Sequence, residues 1–147
     1  MKKKINILGV TSIFIGLTEC FVYLFDHFFV SYYVAVGIRG WFSSLCFALL
    51  LIIAGVFLLK NKGIGLILIK GHIFGTLVDR VIIFLLFGQY VHYLTVIFPI
   101  LLSIPLFIMI YFPNYSKYLN LESSKKLKLL IVIVVLLIIL LPKILFA

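Results

Sequence analysis

Several ionisable side chains lie well inside long apolar runs of this chain, where such groups can hold protons or cations. They include two carboxyls, an imidazole and a guanidinium. An acidic residue near the centre of a membrane span costs about 2.5 to 3.5 kcal/mol on the insertion scale, so ionisable residues there are functional candidates by default. With a nearby tyrosine and a third acid, the predicted intramembrane polar site consists of Glu19, Tyr23, Asp26, His72, Asp79 and Arg80.

The polar and small residues of the first apolar run recur at helical spacing. Steps of three or four residues separate the members of this stripe, which places them on one side of a helix. Small residues near its start permit another helix backbone to approach closely. The stripe is therefore predicted to face protein rather than lipid, and it consists of Gly9, Ser12, Gly16, Glu19, Tyr23 and Asp26.

A second stripe lies in the third run, where Gly65, His72 and Asp79 recur every seven residues. Gly71 and Gly75 add a small-x-x-x-small motif beside it, which favours tight helix packing. The residues predicted to pack helices together are therefore Gly9, Ser12, Gly16, Gly71 and Gly75.

Asp79 and Arg80 are neighbours in the chain, and neighbours on a helix point about 100° apart. We therefore expect each of them to find a partner on another helix. Arg80 or Arg39 with Glu19, Asp26 or Asp79 is the predicted network, and His72 is predicted to be the lone titratable group deeper in the bundle.

Five apolar runs must position these groups, and crossing a bilayer takes about 20 residues as a helix. Hydrophobic residues make up 65% of the chain and its mean hydropathy is +1.35, against an apolar usage of roughly half in globular proteins. The predicted fold class is an all-α integral membrane protein, a single transmembrane domain over 1–147. The third run exceeds one span, so it either tilts or ends near Arg80. The five predicted transmembrane helices are 5–25, 41–59, 64–90, 93–112 and 129–141.

The basic residues indicate how these helices are oriented. The net charge is +9, and lysines flank the runs at 2–4, 60, 62, 117, 125, 126 and 128. Because Lys and Arg are enriched in cytoplasmic loops, the amino terminus is predicted to be cytoplasmic and the carboxyl terminus external. The aromatic connection at 26–40 is predicted to be external and to form a short interfacial segment after the first span.

Several function classes are excluded by what the sequence lacks. Cys20 and Cys46 lie inside apolar runs, without a C-x-x-C motif or the His/Cys spacing of a metal site. There is no phosphate-binding loop and no G-x-S-x-G nucleophile motif. The basic residues lie at helix ends rather than along one solvated face, which argues against nucleic-acid binding. We therefore predict no cofactor, no metal and no nucleic-acid partner.

The segment at 71–80, GHIFGTLVDR, resembles the segment around one catalytic aspartate of lipoprotein signal peptidases, which are small multi-helix membrane proteins. The resemblance implies a catalytic role for Asp79. The family has asparagine in place of Thr76 and a second aspartate at the next span, where residues 98–103 contain no acid. An aspartyl mechanism needs two carboxyls that share a proton. Glu19 or Asp26 would have to supply the second one, so these ten residues alone assign no activity.

The predicted function is that of a non-catalytic accessory or scaffold subunit of a membrane assembly. Its predicted location is the cell membrane, where the multi-pass chain contacts the lipid bilayer and other membrane-protein subunits or copies of itself. The alternative is a proton- or small-solute-conducting carrier that uses Glu19, His72 and Asp79, and the second alternative is an intramembrane hydrolase. If the chain is a subunit, its polar stripes should be used in helix contacts. If it is a carrier, they should line a water-accessible cleft, and a hydrolase should have two adjacent carboxyls.

Overall fold

The computed structural model describes the backbone of residues 2–29, 34–87, 93–111 and 125–145, and the side chains of 2–24, 42–85, 97–111, 129–141 and 144. These residues form helices and contain no strand, which confirms the all-helical prediction for this part of the chain. The helices are α1 Lys2–Phe29, α2 Val34–Leu59, α3 Ile64–Phe87, α4 Tyr93–Tyr111 and α5 Lys125–Leu145.

The first three helices form the centre of the bundle. Helix α1 lies antiparallel to α2, because Gly9 approaches Gly55 at one end of the pair and Gly16 approaches Ala48 further along. Helix α2 packs in turn against α3, and α4 contacts both α3 and α1. A core cluster of apolar side chains joins these four helices and includes Leu8, Leu51, Leu58, Ile69 and Leu106.

A helix cap at Asn61 fixes the turn between α2 and α3. Asn61 adopts a left-handed conformation with φ of 54°. Its amide donates to the Leu58 carbonyl at 2.8 Å, and the Lys62 amide donates to the Phe57 carbonyl at 2.9 Å. This pair of hydrogen bonds is the Schellman motif, in which Asn or Gly takes the left-handed position. The chain therefore reverses within residues 60–63, and α3 runs back along α2.

Helix α5 packs along α3 in the same direction. Ile131 approaches Gly71, and Val135 approaches both Gly71 and Gly75. One face of α5 is thereby buried with Phe47 of α2, through Ile131, Val135 and Ile139. The remaining described residues of α5 are largely exposed, including Val132, Ile133, Leu136 and Leu137.

On α1, uncharged polar and acidic side chains face the interior of the bundle and large aromatic ones face outward, the reverse of the usual pattern in a soluble protein. On α1, Ser12 and Glu19 are 0% and 1% exposed, whereas Phe14 and Phe21 are 69% and 70% exposed. Soluble monomers rarely expose large continuous apolar patches. The outer surface of the bundle therefore suits an apolar surrounding.

Two helices are long and apolar enough to cross a membrane, judged by length and composition within the described residues. They are Lys2–Leu24, with a hydropathy of 1.9, and Phe42–Leu59, with 2.7. Ile97–Tyr111 and Leu129–Leu141 are apolar but shorter. Helix α3 is continuous, but Lys70, Asp79 and Arg80 interrupt its run of apolar residues.

Two of the predicted elements can be compared with the structure. In the predicted interfacial segment at 26–40, the described residues are helical and continue the neighbouring elements, α1 to Phe29 and α2 from Val34. This stretch contains no proline, and its aromatic and apolar residues are compatible with helix. The third run is one continuous helix to Phe87, so the alternative in which it ends near Arg80 is wrong.

Candidate functional site

Eight polar side chains from α1, α2 and α3 meet in the interior of the bundle and form what we call the polar cluster. Each of them is less than 9% exposed. Buried polar groups are costly in an apolar interior unless they find hydrogen-bond or charge partners. The members of the polar cluster are Glu19, Tyr23, Ser43, Ser44, His72, Thr76, Asp79 and Arg80.

Close packing of α1 against α2 allows the side chains of the cluster to meet. A Cβ atom on Gly16 would lie 2.7 Å from Ile52 Cγ1 and 2.9 Å from the Ala48 carbonyl oxygen. A Cβ on Gly55 would lie 2.6 Å from the Gly9 carbonyl oxygen. Real Cβ atoms need more space than this, so the glycines set how near α1 can come to α2.

Asp79 is bonded across the bundle to α2. Ser43 donates its hydroxyl to Asp79 Oδ2 at 3.0 Å, and the carboxyl is fully buried. The same Oδ2 lies 3.8 Å from Arg80 Nη2. The expectation that Asp79 finds a partner on another helix is therefore confirmed. The two neighbours also approach each other, because the long arginine side chain folds back although the two Cβ atoms diverge.

Arg80 connects all three central helices. Its Nη2 donates to Ser44 Oγ on α2, and its guanidinium carbon lies 5.8 Å from the centre of the Tyr23 ring on α1. A guanidinium within about 6 Å of an aromatic face is attracted by the ring quadrupole. Arg80 also interacts electrostatically with the Glu19 carboxyl. The single guanidinium thus serves as a common partner for α1 and α2.

Glu19 and His72 face each other across α1 and α3. Glu19 Oε1 and His72 Nε2 are 3.7 Å apart, which exceeds the about 2.7 to 3.2 Å of a hydrogen bond. Neither atom has a hydrogen-bond partner among the described residues. On its other side the imidazole is held by α2, since His72 Nδ1 lies 3.0 Å from the Phe47 carbonyl oxygen. The prediction that His72 is a lone titratable group is therefore wrong.

Thr76 completes the inner part of the cluster. It lies one helical turn beyond His72 on α3 and is 3% exposed. Its Oγ1 is a third buried polar atom without a hydrogen-bond partner in the described part of the chain. The cluster therefore combines a part around Asp79 and Arg80 that is hydrogen-bonded to α2 with three side chains, Glu19, His72 and Thr76, that each have an unbonded buried polar atom.

The residues predicted as a site from the sequence fall into two groups. The structure brings together Glu19, Tyr23, His72, Asp79 and Arg80, as the contacts above show. The side chain of Asp26, and that of Arg39 in the predicted network, lie outside the described residues. Of the predicted packing residues, Gly9 and Gly16 lie against α2, and Gly71 and Gly75 lie against α5, Gly75 also against Phe47. Ser12 is fully buried, and its hydroxyl donates to the Leu8 carbonyl of its own helix.

The sequence reasoning missed the contribution of α2. Ser43, Ser44 and the Phe47 carbonyl supply the partners of Asp79, Arg80 and His72. A signal was present, since two adjacent serines in an otherwise apolar helix are candidates for bonding to other helices. The carbonyl of Phe47 carries no such signal, because every residue has one.

Comparison with protein-family models, curated proteins and solved structures finds no match for this chain. Its function is therefore inferred from the polar cluster and the apolar surface alone.

The chemistry available in the cluster is acid–base chemistry. It offers carboxyls, an imidazole, a guanidinium and hydroxyls, and the described residues hold no group of three His, Cys, Asp or Glu suited to a metal ion. The contacts pair the two described acids with different groups, Asp79 with Ser43 and Arg80, and Glu19 with His72. This arrangement does not favour the hydrolase alternative, which needs two carboxyls sharing one proton.

Proposed function

We propose that the chain is a five-span integral protein of the cell membrane, one transmembrane domain that serves as a non-catalytic subunit or scaffold of a membrane assembly. The observation that carries the proposal is the reversed burial of the bundle. The side chains of the polar cluster lie between the bundle's own helices, and the large side chains exposed along these helices are mostly aromatic and aliphatic. Partners of such a surface are lipid tails and the apolar helices of other subunits or of a second copy.

The use of polar groups inside the bundle supports a structural role. Ser43, Ser44 and the Phe47 carbonyl bind three different residues of α3. Hydrogen bonds between helices in lipid contribute on the order of 0.6 kcal/mol each, and they fix which faces meet. A rigid helical unit with a fixed outer surface is what an assembly subunit requires.

The orientation of the proposed five spans is tested by cysteine labelling. On a background with Cys20→Ala and Cys46→Ala, a membrane-impermeant thiol reagent applied to sealed cells is expected to label Ser31→Cys and not Ser123→Cys. The reason is the concentration of lysines near α5 and at the amino terminus, which favours the cytoplasmic side. Permeabilised cells provide the control, in which both cysteines should react. Labelling of Ser123→Cys alone in sealed cells would reverse the orientation.

One observation favours a second candidate, the proton- or small-solute-conducting carrier. Glu19 Oε1 and His72 Nε2 are buried, face each other and are not bonded to other described residues. A carrier needs a group whose protonation state changes during its cycle, and an intramembrane acid beside an imidazole is suited to this.

Substitution of Glu19 separates the two candidates. For a subunit, Glu19→Gln keeps the shape and a hydrogen-bond donor, so the variant is expected to fold and to co-purify with the native partners as the unsubstituted chain does. Asp79→Asn is expected to fold and to co-purify as well, since Ser43 can still bond the amide, but with lower stability because the Arg80 charge loses its partner. In reconstituted vesicles, flux driven by a pH gradient should be equal, near background, for all three proteins. Flux that is present in the unsubstituted chain and lost in folded Glu19→Gln would reject the subunit and support the carrier.

A further inference from the structure

The proton positions on the His72 ring follow from its two contacts. Nδ1 lies 3.0 Å from the Phe47 carbonyl oxygen, and a carbonyl oxygen can only accept a hydrogen bond. Nδ1 must therefore carry a hydrogen and donate it. In a neutral imidazole the other nitrogen is then a bare acceptor, and in His72 that nitrogen, Nε2, points toward Glu19.

Two acceptors cannot face each other stably without a proton between them. An ionised Glu19 carboxyl presents only lone pairs, and so does Nε2 of the neutral ring. At 3.7 Å their lone pairs repel. A single proton removes the conflict in either position, because it gives either an acid O–H donating to Nε2 or a ring N–H donating to Oε1. Either arrangement attracts the two atoms and becomes a hydrogen bond when they close to about 3 Å, and the second is charge-assisted.

The charges around the Glu19–His72 pair also require one proton on the pair. Arg80 supplies one positive charge and Asp79 one negative charge, and these two side chains lie 3.8 Å from each other. An ionised Glu19 beside a neutral His72 would leave an unbalanced negative charge in the apolar interior, which is costly. One proton on the pair leaves the cluster neutral, whichever atom carries it.

We propose that Glu19 and His72 form a proton-binding site that holds one proton between Oε1 and Nε2. Transfer within the site breaks an O–H bond and forms an N–H bond, and the total charge does not change. The groups around it are Tyr23 and Cys20 on α1, Thr76, Asp79 and Arg80 on α3, and the Ser44 hydroxyl and Phe47 carbonyl on α2. The site concerns binding of a proton, so it holds for a subunit and for a carrier alike.

The chain allows this proton to be observed directly. Glu19 and Glu122 are its two glutamates, and His27, His72 and His92 are its three histidines. Glu122→Gln with His27→Gln and His92→Gln therefore leaves one residue of each kind, with the site unaltered. The full chain, labelled with ¹⁵N in the histidine ring and ¹³C in the glutamate carboxyl, is reconstituted in lipid vesicles. Nuclear magnetic resonance then reports both ring nitrogens, and infrared spectroscopy reports the carboxyl.

Between about pH 5 and pH 8, the range in which a free imidazole titrates, Nδ1 is expected to carry a hydrogen throughout. Either Glu19 is the acid and Nε2 the acceptor, or Glu19 is ionised and the ring is an imidazolium, so that the pair holds one proton at each pH. An ionised Glu19 beside a bare Nε2 would overturn the proposal, whether water or a cation fills the gap. A protonated acid beside an imidazolium would overturn it as well.

Two substitutions test whether Glu19 is the partner of Nε2. Glu19→Met removes the proton donor and is expected to move the Nε2 resonance to that of a free acceptor. Glu19→Gln is the matched control. Its amide can still donate to Nε2, so the Nε2 resonance should stay partly shifted from the position of a free acceptor. An Nε2 resonance unchanged in folded Glu19→Met contradicts the proposal. If Glu19→Met does not fold, the spectra of the chain with native Glu19 decide alone.

Discussion

Arg80→Met is expected to lower the free energy of unfolding by about 3 to 5 kcal/mol, the usual cost of removing one partner from a buried ion pair. The substitution takes away the cation beside Asp79, the donor to Ser44 and the group over the Tyr23 ring. The loss is measured by reversible unfolding of the purified chain in mixed micelles.

Lys70→Met is the matched control for Arg80→Met. Lys70 is a cation on the same helix, but its side chain is exposed and its Nζ contacts the face of Tyr111 at 5.5 Å. Exposed cation–π contacts contribute about 0.5 to 1 kcal/mol, so the control is expected to lose no more than that. In the double variant Arg80→Met/Asp79→Asn much of the stability should return, because no unpaired charge is left buried. Equal losses for Arg80→Met and Lys70→Met would contradict the buried network.

Gly16→Leu is expected to lower the free energy of unfolding by about 3 kcal/mol, at the upper end of the usual cost of overpacking. Even its Cβ would lie 2.7 Å from Ile52 Cγ1 and 2.9 Å from the Ala48 carbonyl, so α1 and α2 must separate. The intrinsic helix propensity works in the opposite direction, since Gly is about 1 kcal/mol worse than the best helix formers. A measured loss is therefore a net effect of packing. Thermal unfolding and the yield of folded protein both report it.

Val10→Leu provides the control on the opposite face of α1. Val10 is 58% exposed, and surface substitutions of this kind usually change stability by less than about 0.5 kcal/mol. If Gly16→Leu and Val10→Leu were equally stable, the close contact of α1 with α2 at Gly16 would be wrong.

The helical nature of the chain and the inward face of α1 could be predicted from the sequence. Apolar runs separated by lysines indicate helices, and a three-and-four spacing identifies the side that carries Ser12 and Glu19. Spacing assigns residues to a face of a helix, but it does not say which helix covers that face. That Glu19 meets His72 depends on how α1 and α3 are placed around α2, which no local pattern contains.

The Asp79 and Arg80 pair shows a second reason why the contacts of the site could not all be predicted from the sequence. The angle of about 100° between neighbours applies to Cβ directions, whereas an arginine guanidinium lies several bonds from its Cβ and can turn back. In α5 the limit on prediction from the sequence has another cause. Every residue of 129–141 is apolar, so hydrophobicity alone could not distinguish the buried Ile131, Val135 and Ile139 from their exposed neighbours.

The tight turn at Asn61 bears on how the protein is made. If α3 spans the membrane as we propose, it is on its own a poor substrate for the insertion machinery, because Lys70, Asp79 and Arg80 each disfavour entry into lipid by about 2.5 to 3.5 kcal/mol at a helix centre. The preceding α2 contains one charged residue, Arg39, near its start. Since the turn spans only residues 60–63, α3 emerges beside α2 and can bond to Ser43 and Ser44 at once. We therefore expect α2 and α3 to enter the bilayer together as a hairpin, in which the favourable insertion of apolar α2 offsets the cost of inserting the charged residues of α3.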